Sequence, residues 1–152
     1  MKAVIQRVIE ASVSVNDVVK GKIENGLLIY LGVAQNDSET DADWLAEKAA
    51  FLRIFNDNED KMNLSLKDLK EEGKEAGVLA ISQFTLLADA RKGRRPSWNG
   101  AAAPEKAKQL YEYFIDAVKK RGIPCESGEF QAHMMVSYTN DGPVTIILDT
   151  AV

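Results

Sequence analysis

Three polar side chains fall within four positions of an otherwise apolar run in Ile81-Ser82-Gln83-Phe84-Thr85-Leu86. A buried strand rarely spends polar groups this way, because each must find a hydrogen-bond partner or face a cleft. Strand alternation would set Gln83 and Thr85 on one face, and Ser82 with Phe84 on the other. One face could then present an amide and a hydroxyl side by side. The same groups could equally satisfy neighbouring backbone or a second sheet, and spacing alone does not choose. Thr85 could act as a nucleophile, but a threonine hydroxyl normally needs a base to activate it. The chain has a single histidine, His133, and no Ser/His/Asp order is apparent. Thr85 is therefore expected to position or hydrogen-bond a substrate, and His133 to lie at the surface or a cleft rim.

A second segment, Asn140-Asp141-Gly142-Pro143-Val144-Thr145, reads locally as a hairpin turn. An X–Pro bond is trans in all but ~5–6% of folded cases, and nothing in these residues alone overturns that. A third, Arg91-Lys92-Gly93-Arg94-Arg95, sets four cations within five residues, followed by Pro96, Ser97 and Trp98. It is either a solvated loop or a patch for nucleic-acid phosphates. Trp98 could stack on a base or simply pack in its loop.

Stepping outward, 152 residues suit one domain spanning 1–152, with a core that needs no disulfide or metal staple. The net charge of −4 argues against blanket nucleic-acid binding, which makes the local basic cluster more telling. One cysteine, Cys125, allows no intrachain disulfide, and one histidine beside it leaves too few ligands for a structural zinc. No cofactor or metal is expected. The opening residues, with Lys2 and Arg7, resemble neither a signal peptide nor an anchor, and no stretch is apolar enough to span a bilayer. The expected location is the cytoplasm.

The elements expected to carry these residues are as follows. Ala3 to Val8 is extended, and Ala11 to Val15 alternates at the strand period. Asn16-Asp17 turns, Val18 to Ile23 returns, and Glu24-Asn25-Gly26 turns again. Leu27 to Val33 has the continuous apolar character of a strand covered on both faces. A helix capped by Ser38 or Thr40 follows, with Leu45, Ala49 and Leu52 on its buried stripe. Asn56 to Glu75 is expected as a long loop with at most a short strand near Met62 to Leu66. Val78 to Leu87 is a further buried strand. A second helix starts near Pro104, buries Leu110, Phe114, Ala117 and Val118, and stops at Gly122. Gln131 to Thr139 and Val144 to Leu148 are two strands joined by the Asp-Gly-Pro turn. The expected fold is α/β of the α+β type: mostly antiparallel sheet layers with two helices packed on one side.

The Ser82–Leu86 and Asn140–Thr145 segments together resemble the two signature motifs of the D-aminoacyl-tRNA deacylase family. The resemblance runs the length of the chain. Met1 to Val8 is similar to the family's first strand, Arg91 to Ser97 to its basic loop, and Gly128-Glu129-Phe130 to its approach to the last strands. One departure is Gln131-Ala132, where Gly-Ala is expected after Phe130. The resemblance implies hydrolysis of the ester between a D-amino acid and the 3′ end of tRNA, by a homodimer without membrane or DNA partners. It implies a cis Gly142-Pro143 bond entering the partner's active site, with Arg7 helping to hold that motif. Selectivity would come from excluding an L side chain by the rigid dipeptide, so glycine would leak through. Ser82, Gln83, Phe84 and Thr85 would form the reaction centre, with N–H groups near Phe84 and Thr85 facing the developing oxyanion. Arg91, Lys92, Arg94 and Arg95 would contact tRNA. Proton transfer would fall to the RNA's own 2′-hydroxyl. Rival readings are a non-catalytic RNA-binding module, a hydrolase of free D-amino-acid derivatives, and a structural homodimer.

Overall fold

The computed structural model describes residues 1–151. The two N-terminal β segments form one continuous strand, β1 (Lys2–Val15). Asn16 and Asp17 turn the chain with φ of 48° and 61°, a left-handed pair suited to the twist of a two-residue hairpin. Strand β2 (Val18–Ile23) then returns along β1. Glu24-Asn25-Gly26 does not turn the chain back as expected. It only kinks it, and β3 (Gly26–Gly32) continues along the same edge of β1 in unbroken register, from Ala11↔Ile23 through Val8↔Gly26 to Lys2↔Gly32.

Helix α1 (Glu39–Phe51) begins at Ser38, whose backbone N–H donates to Asp41 Oδ2 at 2.8 Å. Leu45 and Ala49 are buried as expected, while Leu52 forms the cap. The expected long loop contains more structure than its polarity suggests: short strands β4 (Phe55–Asn56) and β5 (Met62–Leu64), then α2 (Leu66–Glu71). Ser65 caps α2 by accepting the Asp68 N–H at 3.2 Å, and Leu66 and Leu69 are buried. Strand β6 (Gly77–Ser82) follows, then the one-turn 3-10 helix Phe84–Leu87. Helix α3 (Pro104–Lys120) starts on Pro104 and buries Leu110, Phe114, Ala117 and Val118, as expected. Strand β7 (Cys125–Ser127) leads to β8 (Met135–Asp149).

Strand β6 pairs with β3 in parallel, and β7 pairs with β6 in parallel. The sheet is therefore mixed: the three pairings made by β1 are antiparallel, as expected for most of the sheet, whereas the two made by β6 are parallel, and the described residues form three α-helices, not two. Each parallel pairing follows a long crossover carrying helix, which such a pairing requires. The sheet curls until Gly21 of β2 faces the Ser127 carbonyl of β7. One hydrophobic cluster joins Ile5, Ile29, Leu31 and Val78 to all three helices. The other lies on the opposite face and contains Val8, Val13, Leu28, Leu79 and Ile81. Strand β3 serves both clusters, as its apolar run predicts. Among the described residues no helix is long and apolar enough to cross a membrane.

Candidate active site

The expected strand Val78 to Leu87 ends early. Strand pairing holds through Gln83, whose N–H donates to the Leu31 carbonyl at 2.8 Å. The chain then tightens: Leu86 N–H reaches the Gln83 carbonyl at 3.3 Å, and Ala88 N–H reaches Thr85 at 3.0 Å. Strand alternation therefore does not order Ser82, Gln83, Phe84 and Thr85. A turn brings the amide and hydroxyl together instead, with Gln83 Nε2 donating to Thr85 Oγ1. The N–H groups of Phe84 and Thr85 precede the first bond of this turn, so they are available to an acceptor outside it.

A cavity of about 750 Å³ opens against this junction. Ser82, Gln83 and Phe84 line it from one segment, and Phe130, Gln131, Ala132 and His133 from another. Leu31, Val33, Ala102 and Pro104 make further wall. His133 is the only titratable side chain in the lining, and it precedes β8 instead of lying on a strand. Thr85 is exposed just beyond the lining, held by Gln83. Ser82 and His133 both line the cavity, but no hydrogen bond joins them among the described residues. The lining can position a substrate with amide and main-chain groups.

The Asn140–Thr145 segment is not a hairpin turn. Strand β8 runs antiparallel to β1 throughout, but between Gln6↔Thr145 and Val8↔Asn140 it carries extra residues opposite Arg7. This bulge contains a cis Gly142-Pro143 bond. Gly142 has φ of 118°, and a Cβ there would lie 2.9 Å from Val144 Cγ2 and 3.1 Å from Arg7 Nη2, so glycine is required on both counts. Asn140 Nδ2 fastens the bulge by donating to the Arg7 carbonyl at 2.9 Å and the Val144 carbonyl at 3.1 Å.

Arg7 is 7% exposed beneath the bulge. Its Nη1 donates to the Ile54 carbonyl at 2.7 Å and to Asn56 Oδ1 at 3.1 Å. Its Nε lies 2.9 Å from Asp141 Oδ2, yet the N–H is not aimed at that oxygen, so this is a charge contact and not a hydrogen bond. Gly142 and Pro143 themselves are exposed and do not line the cavity of their own chain.

The basic loop is closed at its base by two backbone bonds between Asp89 and Ser97, at 2.8 and 3.0 Å. Arg91 is spent inside the loop, donating to both Asp89 oxygens at 2.9 and 2.7 Å. Those bonds hold the Asp89 carboxyl well below the usual carboxylate range. Lys92, Arg94 and Arg95 are exposed and form no ion pair among the described residues. Trp98 packs on Phe84 with ring centroids 5.8 Å apart, so the loop's stem adjoins the cavity wall.

One contributor escaped the sequence reading. Tyr111 of α3 is buried, donates its hydroxyl to the Ala80 carbonyl at 2.8 Å and sets its ring 6.1 Å from Phe130. Burial raises its phenol above the ordinary range. Its place beside Leu110, with Phe114 and Val118 on the same helical face, was a usable signal. Gln131, the departure noted in the sequence, has a left-handed backbone at φ 63°. Cys125 is buried at the start of β7, and desolvation pushes its thiol up to about 12, which makes it inert.

Together these features define a mixed α+β protein with a cavity lined by amide, hydroxyl, imidazole and apolar side chains, and a cis Gly-Pro displayed on an edge strand. The family described as D-Tyr-tRNA(Tyr) deacylase matches residues 4–149. A D-aminoacyl-tRNA deacylase of Koribacter versatilis is 55% identical over 150 residues, covering 99% of this chain and 97% of the relative. One from Geotalea uraniireducens is 57% identical over 150 residues, covering 99% and 94%. A solved structure described as c-Myc DNA Unwinding Element Binding Protein matches with a TM-score of 0.88 and 34% identity over 99% of both chains. Another, described as a probable eukaryotic D-amino acid tRNA deacylase, has a TM-score of 0.81 at 18% identity over 97% of both chains, and speaks to the fold alone. The chain belongs to the D-aminoacyl-tRNA deacylase family.

Proposed function

We propose that this chain hydrolyses the ester of D-aminoacyl-tRNA, releasing free tRNA and the D-amino acid, as a cytoplasmic homodimer acting in translation proofreading. The observation that carries the finer reading is the separation of Gly142-Pro143 from its own chain's cavity. An exposed, firmly braced dipeptide on an edge strand has no use within one subunit, but it can enter the cavity of a second. Strand β8 suits that role: none of its residues is fully buried, and Met135, Tyr138 and Ile147 are exposed.

In this reading the aminoacyl ester lies against the Ser82–Thr85 junction. The partner's Gly142-Pro143 meets the substrate at Cα. A D-residue directs its side chain to open space, and an L-residue drives it into the dipeptide. Glycine has nothing to exclude and is also cleaved. The amides of Phe84 and Thr85 receive the oxyanion, a contribution of several kcal/mol in enzymes of this design. Thr85, held by Gln83, positions the reacting groups. Water attacks the ester, and the leaving ribose hydroxyl lies beside the RNA's own 2′-hydroxyl, which moves the proton. Lys92, Arg94 and Arg95 contact tRNA phosphates, with Arg91 bracing the loop.

The test is a time course on matched D-Tyr-tRNA and L-Tyr-tRNA at catalytic enzyme concentration. Rapid loss of the D-ester with the L-ester intact is expected. Cleavage of neither above its spontaneous rate would refute the reading.

A further inference from the structure

Gln131 occupies a position that its residue type does not favour. The Ala132 N–H donates to the Glu129 carbonyl at 3.2 Å, which closes a four-residue turn with Gln131 third. A positive φ at that place alone is the type II geometry, which favours glycine or asparagine. The other non-glycine residues with positive φ are Asn16, Asp17 and Asp60, whose short side chains tolerate this region. Glutamine has no such ease.

The surrounding structure holds the turn in place. Phe130 packs on Tyr111, the Gly128 N–H and the Tyr111 hydroxyl both reach the Ala80 carbonyl, and Lys20 Nζ lies 3.2 Å from Glu129 Oε2. The Gln131 side chain is exposed on the cavity lining and makes no hydrogen bond among the described residues. The other amide of the lining, Gln83, is committed to Thr85. Gln131 is thus the lining's uncommitted amide, kept there against local backbone preference.

We propose that Gln131 is a base-reading residue that pairs its amide with the adenine of the tRNA's terminal nucleotide. The inference rests on the deacylase reading above and deepens it. An enzyme that ignores the amino-acid side chain must take its recognition from the constant part of the substrate, and every tRNA ends in adenosine. An amide presents a donor and an acceptor side by side, matched to the adenine edge through N6 and a ring nitrogen. The cavity's apolar walls, with Phe84 and Phe130, suit the flat faces of a purine.

The test compares the wild-type protein with Gln131→Gly, using D-tyrosyl RNA microhelices ending in adenosine or in purine riboside, which lacks N6. The wild type is expected to favour adenosine by about tenfold or more in kcat/KM. Gln131→Gly should cleave the two at equal rates, with thermal unfolding no lower than wild type because glycine suits the turn. Unchanged preference in Gln131→Gly overturns the proposal. Calorimetric titration with AMP and purine riboside monophosphate separates it from the deacylase reading. Preference for AMP that vanishes in Gln131→Gly supports base reading even if no ester is cleaved. Equal binding of both nucleotides by the wild type overturns it.

Discussion

Arg7 and Thr85 make opposite uses of polar chemistry. Arg7 buries a guanidinium and spends it on the Ile54 carbonyl, Asn56 and Asp141, under the bulge that carries Gly142-Pro143. Arg7→Met removes two hydrogen bonds from a charged donor but leaves Asp141 free to reach water. We expect a loss of roughly 2–3 kcal/mol by denaturant unfolding, together with weakened discrimination between D- and L-esters. Arg7→Lys keeps the charge and not the fork, and should recover stability better than selectivity. Thr85 is exposed and tied to Gln83, and among the described residues no titratable side chain hydrogen-bonds its hydroxyl. Thr85→Ser should retain most activity, and Thr85→Val should lose about tenfold in kcat, or ~1.4 kcal/mol. Rapid-quench kinetics should show no acyl-enzyme burst in any of these proteins. A burst would restore Thr85 as nucleophile.

At the scale of elements, the basic loop and the β3–β6 junction give separate predictions. The loop is pinned by Asp89 and Ser97, and three of its cations are left outward. Replacing Lys92, Arg94 and Arg95 with alanine should reduce the slope of log kcat/KM against log salt by about 2, at ~0.7 per phosphate contact. Cleavage of a short aminoacylated adenosine should change little. Arg91→Ala should act differently, by releasing Asp89 and loosening the stem. At the strand junction Gly26 has φ of 149°, and a Cβ would fall 1.9 Å from the Gly77 carbonyl across the parallel pair. Gly26→Ala should cost about 3 kcal/mol or more, or abolish folding, as read by thermal unfolding.

For the whole molecule the decisive question is whose Gly-Pro serves whose cavity. Two impaired variants answer it: Gln83→Ala, which releases Thr85 and should leave about a tenth of the activity, and Pro143→Trp, whose exposed indole would obstruct the neighbour's cavity. In a two-fold dimer with random exchange, half of the assemblies pair one variant with the other. Each such pair has one site built from two intact halves, so mixing should restore about a quarter of wild-type activity. A site built within one chain would show no rescue. Sedimentation of each variant before mixing checks that both remain dimers.

The particular residues show how much of this was legible beforehand. Ser38, Pro104 and the stripes of α1 and α3 are local signals, and each element formed where its caps and period placed it. The unbroken apolar run of β3 foretold burial on both faces. The short helix α2 was also locally written, in the Ser65–Asp68 capping box and the Leu66, Leu69 pair, but its polar surroundings obscured it. The 3-10 turn at Phe84 was not legible, because its residues suit a strand and only the end of pairing at Gln83 tightens them. Nor was the parallel pairing of β6 and β7, since a strand's period is the same whichever neighbour it meets. The Asp-Gly-Pro segment is a turn by composition, yet continuous pairing with β1 on both sides makes it a bulge over Arg7. By itself the sequence determined the family resemblance and where α1 and α3 form, because motifs, caps and period act within a few residues. Only the tertiary structure decided which strands meet and where the Gly-Pro points, because those outcomes depend on partners distant along the chain.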